Sequence, residues 1–431
     1  MKILALCDSP VCRSGQAPTG FGRVGRNLFA EWTKAGVEVD IWALHFDGWG
    51  YQDVPWKLFP GGSRDWNSPA QLSAFLTCLM TGGYTHCWIL SDPDALCVGA
   101  GESSFPNQLR NICRTRGIRT MLYFPVDAYM ETAWMAIIEA VNVAVSYTVF
   151  GREEVRRALG KSRYPIAVLP HGLDPQFQPG TPEQCVEARR QITVGDKPKP
   201  FARTTDFLIL NVNKNEWRKD PLRTLEITRE LLRLGVPAKV VMRMDPLSAM
   251  GGVHLHRAAE QLGLVDGVDY VQLGAVPELH LPSLYHAADV YLTTTLGEGW
   301  GLGITEALGC GTPVAMPRHT SCEEIGENIE KSREQKAESG NETDGESGKQ
   351  KAESRNENEP PASTLWLQME GSCTMGNDTR LRRRVSCAAA AAQLKEWFEA
   401  GPTRVELPAA IRDWLSWERV AKEMLEMMKK P

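Results

Sequence analysis

Short apolar runs and amphipathic stretches alternate along the amino-terminal half of the chain. Buried β-strands are predicted where the apolar runs fall, at residues 2–7, 37–44, 86–90, 119–124 and 141–147. Between the first two runs, four large apolar residues recur at helical spacing, namely Val24, Leu28, Phe29 and Trp32. Gly36 follows them as a helix stop. A strand, a loop, a helix and a strand in this order predict a doubly wound α/β domain.

The pattern restarts after a proline-punctuated boundary near residues 175–205. A helix is predicted at 221–234, and strands are predicted at 207–212, 238–243, 268–273 and 290–294. Two consecutive doubly wound domains with a linker between them are therefore expected, over residues 1–180 and 200–405. Near the end of the chain, one helical face carries Trp417, Val420, Ala421, Met424 and Met428, which predicts a docking helix within about 410–431.

Residues 326–362 break this pattern. They are polar, nearly devoid of aliphatic residues, and repeat internally with a period of 15 residues. Such a segment buries too little apolar surface to offset the entropy of ordering it. A disordered insertion is predicted, with a charged single helix over part of it as the alternative.

Composition narrows the class of protein. The chain has 431 residues, of which 42% are hydrophobic, and a net charge of −5, which argues against binding nucleic acid by bulk electrostatics. The eleven cysteines include no Cys-x-x-Cys pair, so neither a disulfide framework nor a zinc site is indicated. The first apolar run is broken too early for a signal peptide, and no run approaches a membrane span. We expect a cytoplasmic protein with reduced thiols.

The most informative motif is Glu-Gly-Trp-Gly-Leu-Gly-Ile-Thr-Glu at 298–306. It lies between a predicted strand and a predicted helix, so it places Glu298 on a glycine-rich loop and Glu306 on the helix. A helix amino terminus binds phosphate, and carboxylates accept hydrogen bonds from sugar hydroxyls. The eight-residue spacing corresponds to roughly 12 Å of helix, beyond the separation of glycosidase carboxylates. A site for a phosphate-bearing sugar is favoured over hydrolysis and over a plain surface loop.

A second motif, at 211–220, follows a predicted strand at the same end of the sheet. Its cations Lys214, Arg218 and Lys219 suit a diphosphate, both for binding and for the charge that develops as it leaves. A solvated basic turn is the alternative. The glycine loop at 19–22, with Gly20, is not a full dinucleotide fingerprint, and Asp40 is the one acidic candidate for a ribose. An NAD-type oxidoreductase is therefore less favoured.

Three further motifs are ambiguous. The turn that carries His171 and Gly172 either lines a ligand site or has a structural role, and the sequence supports the two interpretations about equally. The Asp-Pro-Asp sequence at 92–94 suits a plain turn better than a metal site. The arginines at 382–384 are predicted to form a solvated face, with a contact to anionic lipid or acceptor as the weaker alternative.

The chain resembles retaining GT-B glycosyltransferases of the family 4 group, the glycogen-synthase-like glycosyl transferases group 1. The resemblance rests on residues 298–314, on Leu-Pro-His-Gly-Leu-Asp at 169–174 and on Leu-Ser-Trp-Glu-Arg-Val-Ala at 415–421. It implies two doubly wound Rossmann-like domains facing a central cleft, with the last helix packing back on the first domain. It covers nearly the whole chain except 325–390.

The resemblance also implies roles for individual residues. Glu298 would contact the donor sugar, and Glu306 the ribose. Lys219 would neutralise the diphosphate with Lys214, although Arg218 is the alternative because the family has arginine at position 214. Asp127 would replace a sugar-binding histidine of the family. The remaining donor-binding residues implied are Gly20, His171, Gly172, Val276, Gly299, Gly301 and Leu302.

The expected activity is transfer of a hexosyl group from a nucleoside diphosphate sugar to an acceptor hydroxyl, with retention of configuration and without metal or cofactor. The expected partners are the nucleotide sugar and a glycan, lipid-linked or protein acceptor, with peripheral membrane contact as an option. A non-catalytic sugar-nucleotide or glycan-binding scaffold is the alternative. The donor base, the sugar, the acceptor and the oligomeric state stay open.

Overall fold

The apolar runs of the sequence form the parallel strands of two separate sheets. The computed structural model describes residues 1–12, 19–48, 54–62, 67–194, 199–245, 252–341, 363–375, 378–401 and 403–430. The chain divides into two compact units. Unit 1 comprises Met1–Asp174, Glu298–Leu302 and Asp413–Pro431, and unit 2 comprises Pro175–Gly297 and Gly303–Arg412.

Unit 1 is built on a parallel sheet in the strand order β3-β2-β1-β4-β5-β6-β7. Its strands are β1 (Lys2–Asp8), β2 (Glu38–Leu44), β3 (Lys57–Pro60), β4 (His86–Leu90), β5 (Arg119–Phe124), β6 (Val143–Ser146) and β7 (Ile166–Val168). Its helices up to residue 159 are α1 (Gly20–Lys34), α2 (Pro69–Thr81), α3 (Pro93–Leu96), α4 (Phe105–Arg116), α5 (Met135–Ala140) and α6 (Val149–Leu159). The order reverses between β1 and β4, as in doubly wound folds.

Unit 2 repeats this plan with a six-stranded parallel sheet in the order β12-β11-β10-β13-β14-β15. Two short strands precede this sheet, β8 (Thr193–Val194) and β9 (Lys199–Pro200). The six strands of the sheet are β10 (Phe207–Val212), β11 (Ala238–Arg243), β12 (Tyr270–Leu273), β13 (Val290–Leu292), β14 (Val314–Pro317) and β15 (Thr364–Leu367). They are followed by β16 (Met369–Met375) and β17 (Asp378–Val385). The helices are α7 (Pro182–Gln191), α8 (Pro221–Arg233), α9 (Leu255–Gln261), α10 (Leu281–Ala287), α11 (Leu302–Gly309), α12 (Thr320–Asn341), α13 (Cys387–Ala400) and α14 (Ala409–Trp414). The strands β16 and β17 pair as an antiparallel hairpin outside the main sheet.

The last helix, α15 (Trp417–Lys429), packs on α1 within unit 1. The indole of Trp32 donates to the Ala421 carbonyl at 3.1 Å, and a ring nitrogen of His86 lies 3.2 Å from the Met428 carbonyl. The apolar face noted in the sequence supplies the buried side of this helix, including Val420 and Met424. Burial of such a stripe is the ordinary driving force for docking an amphipathic helix.

Two stretches differ from their sequence-based description. The predicted linker at 175–205 contains α7, whose Arg189 forms a bidentate pair with Asp289 at 2.9 and 3.0 Å inside unit 2. The predicted insertion at 326–362 begins within α12, which continues as helix to Asn341, as in the helical alternative. The predicted disorder of 342–362 falls outside the described residues. In the part of the chain that is described, no helix has both the length and the apolar character to cross a bilayer.

Candidate functional site

The sheet of unit 2 reverses its strand order between β10 and β13. In open α/β sheets, ligands bind beyond the carboxyl ends of the strands at this switch point. Residues 213–220 follow β10 and belong to the 211–220 motif. Residues 293–297 follow β13 and lead into the 298–306 motif. The topology therefore places the cationic turn and the approach to Glu298 at the position where this fold binds ligands.

Hydrogen bonds join these two segments. The Leu296 amide donates to the Arg218 carbonyl at 2.8 Å, and the Thr294 hydroxyl donates to the Asp220 carbonyl at 2.8 Å. Thr294 also lies 3.0 Å from the hydroxyl of Thr224, which accepts from the Asn211 side chain at 2.9 Å. These groups are buried, and a satisfied buried network of this kind holds its backbone rigidly.

The three cations of the turn have different environments. Residues Trp217–Lys219 form one turn of 3-10 helix, and Lys219 is only 9% exposed. An Arg218 guanidinium nitrogen donates at 2.6 Å to the carbonyl of Gly297, the residue directly before Glu298 in the chain. Lys214 is largely exposed and lies 3.8 Å from Glu216. Of the two candidates for phosphate contact, Arg218 is thus the one fixed at the switch point.

Glu306 lies on α11 and is 3% exposed. Its carboxylate accepts a hydrogen bond from the Tyr285 hydroxyl at 2.6 Å. Burial first, and then the Glu306 charge, raises the pKa of Tyr285 well above its usual value, so this hydroxyl remains a donor. Earlier in the same helix, a Cβ on Gly303 would collide with the Tyr291 hydroxyl.

Residues Glu298–Leu302 pack within unit 1. Glu298 is 5% exposed, and a Cβ on Gly299 would come within 2.5 Å of the Pro125 Cβ, so only glycine fits. The Trp300 ring lies 5.8 Å from the ring of His171 and 5.6 Å from that of Trp414. This segment is therefore held by aromatic and close backbone packing.

His171 is a core histidine in this structure. A ring nitrogen lies 2.6 Å from the Tyr123 hydroxyl, and the Tyr147 ring lies 4.1 Å away. Burial lowers the pKa of His171 from 6.5 to about 3, which keeps the imidazole neutral. The adjoining Gly172 lies against the Trp417 indole, whose N–H donates to Asp174 at 2.9 Å. The turn thus has a structural role, and its predicted role in donor binding stays a prediction.

The remaining predicted residues occupy loops at carboxyl ends of strands. In unit 1, Gly20 is the first residue of α1, after β1, and Asp127 follows β5. In unit 2, Val276 follows β12, and its carbonyl accepts from Arg243 at 3.5 Å. Gly301 has a positive φ of 96°, and Leu302 begins α11. Their predicted contacts with the donor stay predictions.

The Asp-Pro-Asp sequence forms a helix start. Asp92 precedes the short helix α3, and Asp94 lies in its first turn. Across the described ranges, no three His, Cys, Asp or Glu side chains are grouped so that they could hold a metal ion. Asp40, the acidic candidate of the oxidoreductase alternative, lies within β2 and accepts from the Tyr84 hydroxyl at 2.8 Å.

The prediction for the arginines at 382–384 is wrong for two of the three. Arg382 is 3% exposed, and Arg384 makes two hydrogen bonds to Asp220, at 2.6 and 2.9 Å. The hairpin β16–β17 brings Arg384 to Asp220 at the end of the cationic turn, although the two residues are 164 positions apart in the sequence. Only Arg383 is exposed, as predicted. No local pattern marks so distant a pair in the sequence.

Comparison with known proteins finds similarity to glycosyltransferases. Residues 196–331 match the family model "Glycosyl transferases group 1". "D-inositol 3-phosphate glycosyltransferase 2" of Catenulispora acidiphila is 42% identical over 194 residues, which cover 42% of this chain but only 41% of that relative. "D-inositol 3-phosphate glycosyltransferase" of Kineococcus radiotolerans is 22% identical over 347 residues, covering 73% of this chain and 76% of the relative.

Solved structures agree on the fold. Sucrose-phosphate synthase of Thermosynechococcus elongatus superposes with a TM-score of 0.69 at 14% identity, covering 99% of this chain and 98% of that one. HepE of Anabaena, in complex with UDP and glucose, gives a TM-score of 0.62 at 14% identity, covering 99% of each chain. At this identity the likeness concerns the fold alone. Residues 196–331 are therefore similar to the glycosyl transferases group 1 family, and the chain has the GT-B fold with two Rossmann-like units.

Proposed function

We propose that the protein is a retaining, metal-independent glycosyltransferase that moves a hexosyl group from a nucleoside diphosphate sugar to an acceptor hydroxyl. One observation carries this proposal. A turn with Arg218 and Lys219 is joined by hydrogen bonds to the segment leading into Glu298, at the switch point of a sheet inside the family-matched region.

The diphosphate is assigned to Lys219 and Arg218. Lys219 is nearly buried, so its charge is poorly screened and interacts strongly with an anion. Helix α8 begins two residues after Lys219, and helix amino termini carry partial positive charge. In this proposal these groups bind the donor and stabilise the diphosphate as it leaves, which is the charge that a metal ion offsets in other transferases.

The two carboxylates are assigned to the ends of the donor. Glu306 is held in one orientation by Tyr285, which suits a carboxylate that accepts hydrogen bonds from ribose hydroxyls. Arg218 donates a hydrogen bond to the carbonyl of Gly297, and Glu298 is the next residue in the chain. The backbone position of Glu298 therefore depends on the cationic turn. We assign Glu298 to hydroxyls of the transferred sugar.

The reaction that follows from this assignment is a substitution at the anomeric carbon. The bond from that carbon to the diphosphate oxygen breaks, and a bond to the acceptor oxygen forms on the same face. The acceptor hydroxyl passes its proton to the departing phosphate oxygen, so the products are a glycoside and the protonated nucleoside diphosphate. In this reaction no residue of the chain forms a covalent intermediate with the sugar.

The first experiment is a thermal-shift panel of UDP-, GDP- and ADP-sugars. A donor at about 100 times its dissociation constant adds about 2.7 kcal/mol to the free energy of unfolding. With the donor found, a panel of polyol, sugar and lipid-linked acceptors is tested, with and without a chelator. The anomeric configuration of the product is assigned by NMR, and an inverted product would contradict the retaining mechanism.

Glu298→Gln separates an enzyme from a binding scaffold. Transfer is expected to fall by about 100-fold or more while nucleoside diphosphate affinity changes little, because the carboxylate acts on the sugar in the transition state. The matched control is Glu396→Gln on the exposed side of α13. Donor binding without turnover under any acceptor condition favours the scaffold. Nicotinamide dinucleotide binding in place of sugar nucleotides favours the oxidoreductase.

A further inference from the structure

A bidentate pair attaches the hairpin β16–β17 to the cationic turn. The Arg384 guanidinium donates to both carboxylate oxygens of Asp220, at 2.6 and 2.9 Å, and Asp220 is 7% exposed. A bidentate arginine–carboxylate pair fixes orientation as well as distance. Asp220 is also the residue directly after Lys219, so the pair anchors the chain at the cation predicted to bind the diphosphate.

Other contacts hold the hairpin in place. Arg223 on α8 pairs with Glu370 on β16 at 3.1 Å, and Glu370 lies opposite Arg384 in the strand register. Arg382 is buried and approaches the Leu296 carbonyl at 3.5 Å. The hairpin therefore contacts both segments at the switch point, the one before α8 and the one before Glu298.

The backbone of Asp220 shows what the pair stabilises. Asp220 has a φ of 45° and a ψ of 52°, the left-handed region that side chains other than glycine rarely adopt. Aspartate tolerates this region better than most residues, but it still costs about 1 kcal/mol or more. The hydrogen bond from Thr294 and the two from Arg384 offset that cost. They keep the turn in the conformation that presents Lys219.

The pair also has an electrostatic consequence. The Asp220 carboxylate follows a lysine that we assign to an anion, and a nearly buried negative charge there would repel a diphosphate. Arg384 neutralises this carboxylate through direct hydrogen bonds, so its loss would leave an uncompensated charge at the site.

We propose that Arg384 is a positioning residue of the donor site, which holds and neutralises Asp220 so that Lys219 serves the diphosphate. This inference rests on the proposed function. It assigns the hairpin β16–β17, which the family model region 196–331 does not include, to donor recognition.

The test compares nucleoside diphosphates with monophosphates on the full chain. UDP, GDP and ADP, and then UMP, GMP and AMP, are titrated by calorimetry into the wild type and into Arg384→Met. The base whose diphosphate binds the wild type is used for the comparison, so the two probes are the diphosphate and the monophosphate of the same nucleoside. Arg384→Met is expected to weaken diphosphate binding by about 10-fold or more, the range of a charge-assisted contact. Monophosphate binding is expected to change by less than about 3-fold, because the base and ribose contacts remain.

Three further variants keep the test decisive. Arg384→Lys is expected to recover part of the diphosphate affinity. The double variant Arg384→Met with Asp220→Asn removes the uncompensated charge and is expected to bind diphosphate more tightly than Arg384→Met alone. Arg383→Met, at the exposed neighbouring position, is the matched control and is expected to bind like the wild type.

The outcomes separate the two proposals. If the wild type binds none of the three diphosphates, the proposed function fails and this inference fails with it. If the wild type prefers a diphosphate and a folded Arg384→Met keeps that preference, only the inference is overturned. An equal loss of diphosphate and monophosphate binding would show a general structural role and also overturns it. If Arg384→Met does not fold, the same comparison is made on Arg384→Lys and the double variant.

Discussion

Removing one hydroxyl, in Tyr285→Phe, tests whether Glu306 is an oriented nucleotide ligand. The Tyr285 hydroxyl donates to Glu306 at 2.6 Å, and Tyr285 and Glu306 are 0% and 3% exposed. The substitution deletes one donor to a buried carboxylate and leaves the ring packing intact. A hydrogen bond to a charged group contributes about 1.5–3 kcal/mol, so a loss of unfolding free energy in that range is expected.

The effect on ligand binding is expected to be smaller. Without Tyr285 the Glu306 carboxylate keeps its charge but loses one orienting contact. If it accepts a hydrogen bond from a ribose hydroxyl, that bond weakens by at most about 0.5–1.5 kcal/mol, or about 2- to 10-fold in the dissociation constant of a nucleoside diphosphate.

A second tyrosine provides a matched control. The Tyr84 hydroxyl donates to Asp40 at 2.8 Å within unit 1, and both residues are buried. Tyr84→Phe deletes the same chemical contact away from the switch point of unit 2. A similar loss of stability is expected, with no change in nucleoside diphosphate affinity. In the oxidoreductase alternative, Tyr84→Phe would disturb the Asp40 carboxylate and dinucleotide binding instead.

Two measurements complete the experiment. Urea unfolding followed by tryptophan fluorescence gives the loss of stability, and calorimetric titration gives the nucleotide affinity. The reasoning is refuted if Tyr285→Phe loses stability but binds nucleotide like the wild type. It is equally refuted if both tyrosine variants weaken nucleotide binding to the same extent.

Three other changes have defined outcomes. Lys219→Met is expected to weaken nucleoside diphosphate binding by about 10- to 100-fold, measured by calorimetry, while the exposed Lys422→Met has no effect. Gly299→Ala would force a Cβ to within 2.5 Å of the Pro125 Cβ and is expected to lower the free energy of unfolding by about 1–3 kcal/mol in urea titrations. Burial lowers the pKa of His171 from 6.5 to about 3. Below pH 6.5, His171 is therefore protonated in the unfolded chain but stays neutral in the folded chain. Stability is therefore lost as the pH falls, by about 2 kcal/mol near pH 5, and NMR of the imidazole is expected to show a neutral ring there.

The central strands were predictable because parallel strands buried on both faces need continuous apolar sequence. The predicted bounds 86–90, 119–124, 207–212 and 238–243 are those observed for β4, β5, β10 and β11. The strand predicted at 290–294 ends earlier, at Leu292, because the following threonines serve as hydrogen-bond donors in the polar network of the switch point. An apolar pattern does not distinguish a threonine in a strand from one in such a network.

The hairpin β16–β17 could not be derived from local pattern. Its arginines occur in a charged run, and such runs usually form solvated faces. Arg384 contacts Asp220 only because the fold returns the chain to the switch point of unit 2. Tyr285 was missed for the same reason, since it lies on α10 and faces Glu306 on α11. Contacts of this kind depend on tertiary packing, which neither periodicity nor composition specifies.

Close packing against protein atoms explains two of the glycines of the 298–306 motif. In the structure the neighbours are protein atoms, because Gly299 meets Pro125 within unit 1 and Gly303 meets Tyr291 within unit 2. Each of these two glycines is thus required by close packing inside its own unit. If the amino terminus of α11 binds the donor phosphate as predicted, this packing pre-organises it, and the glycines contribute to binding through the backbone geometry they permit.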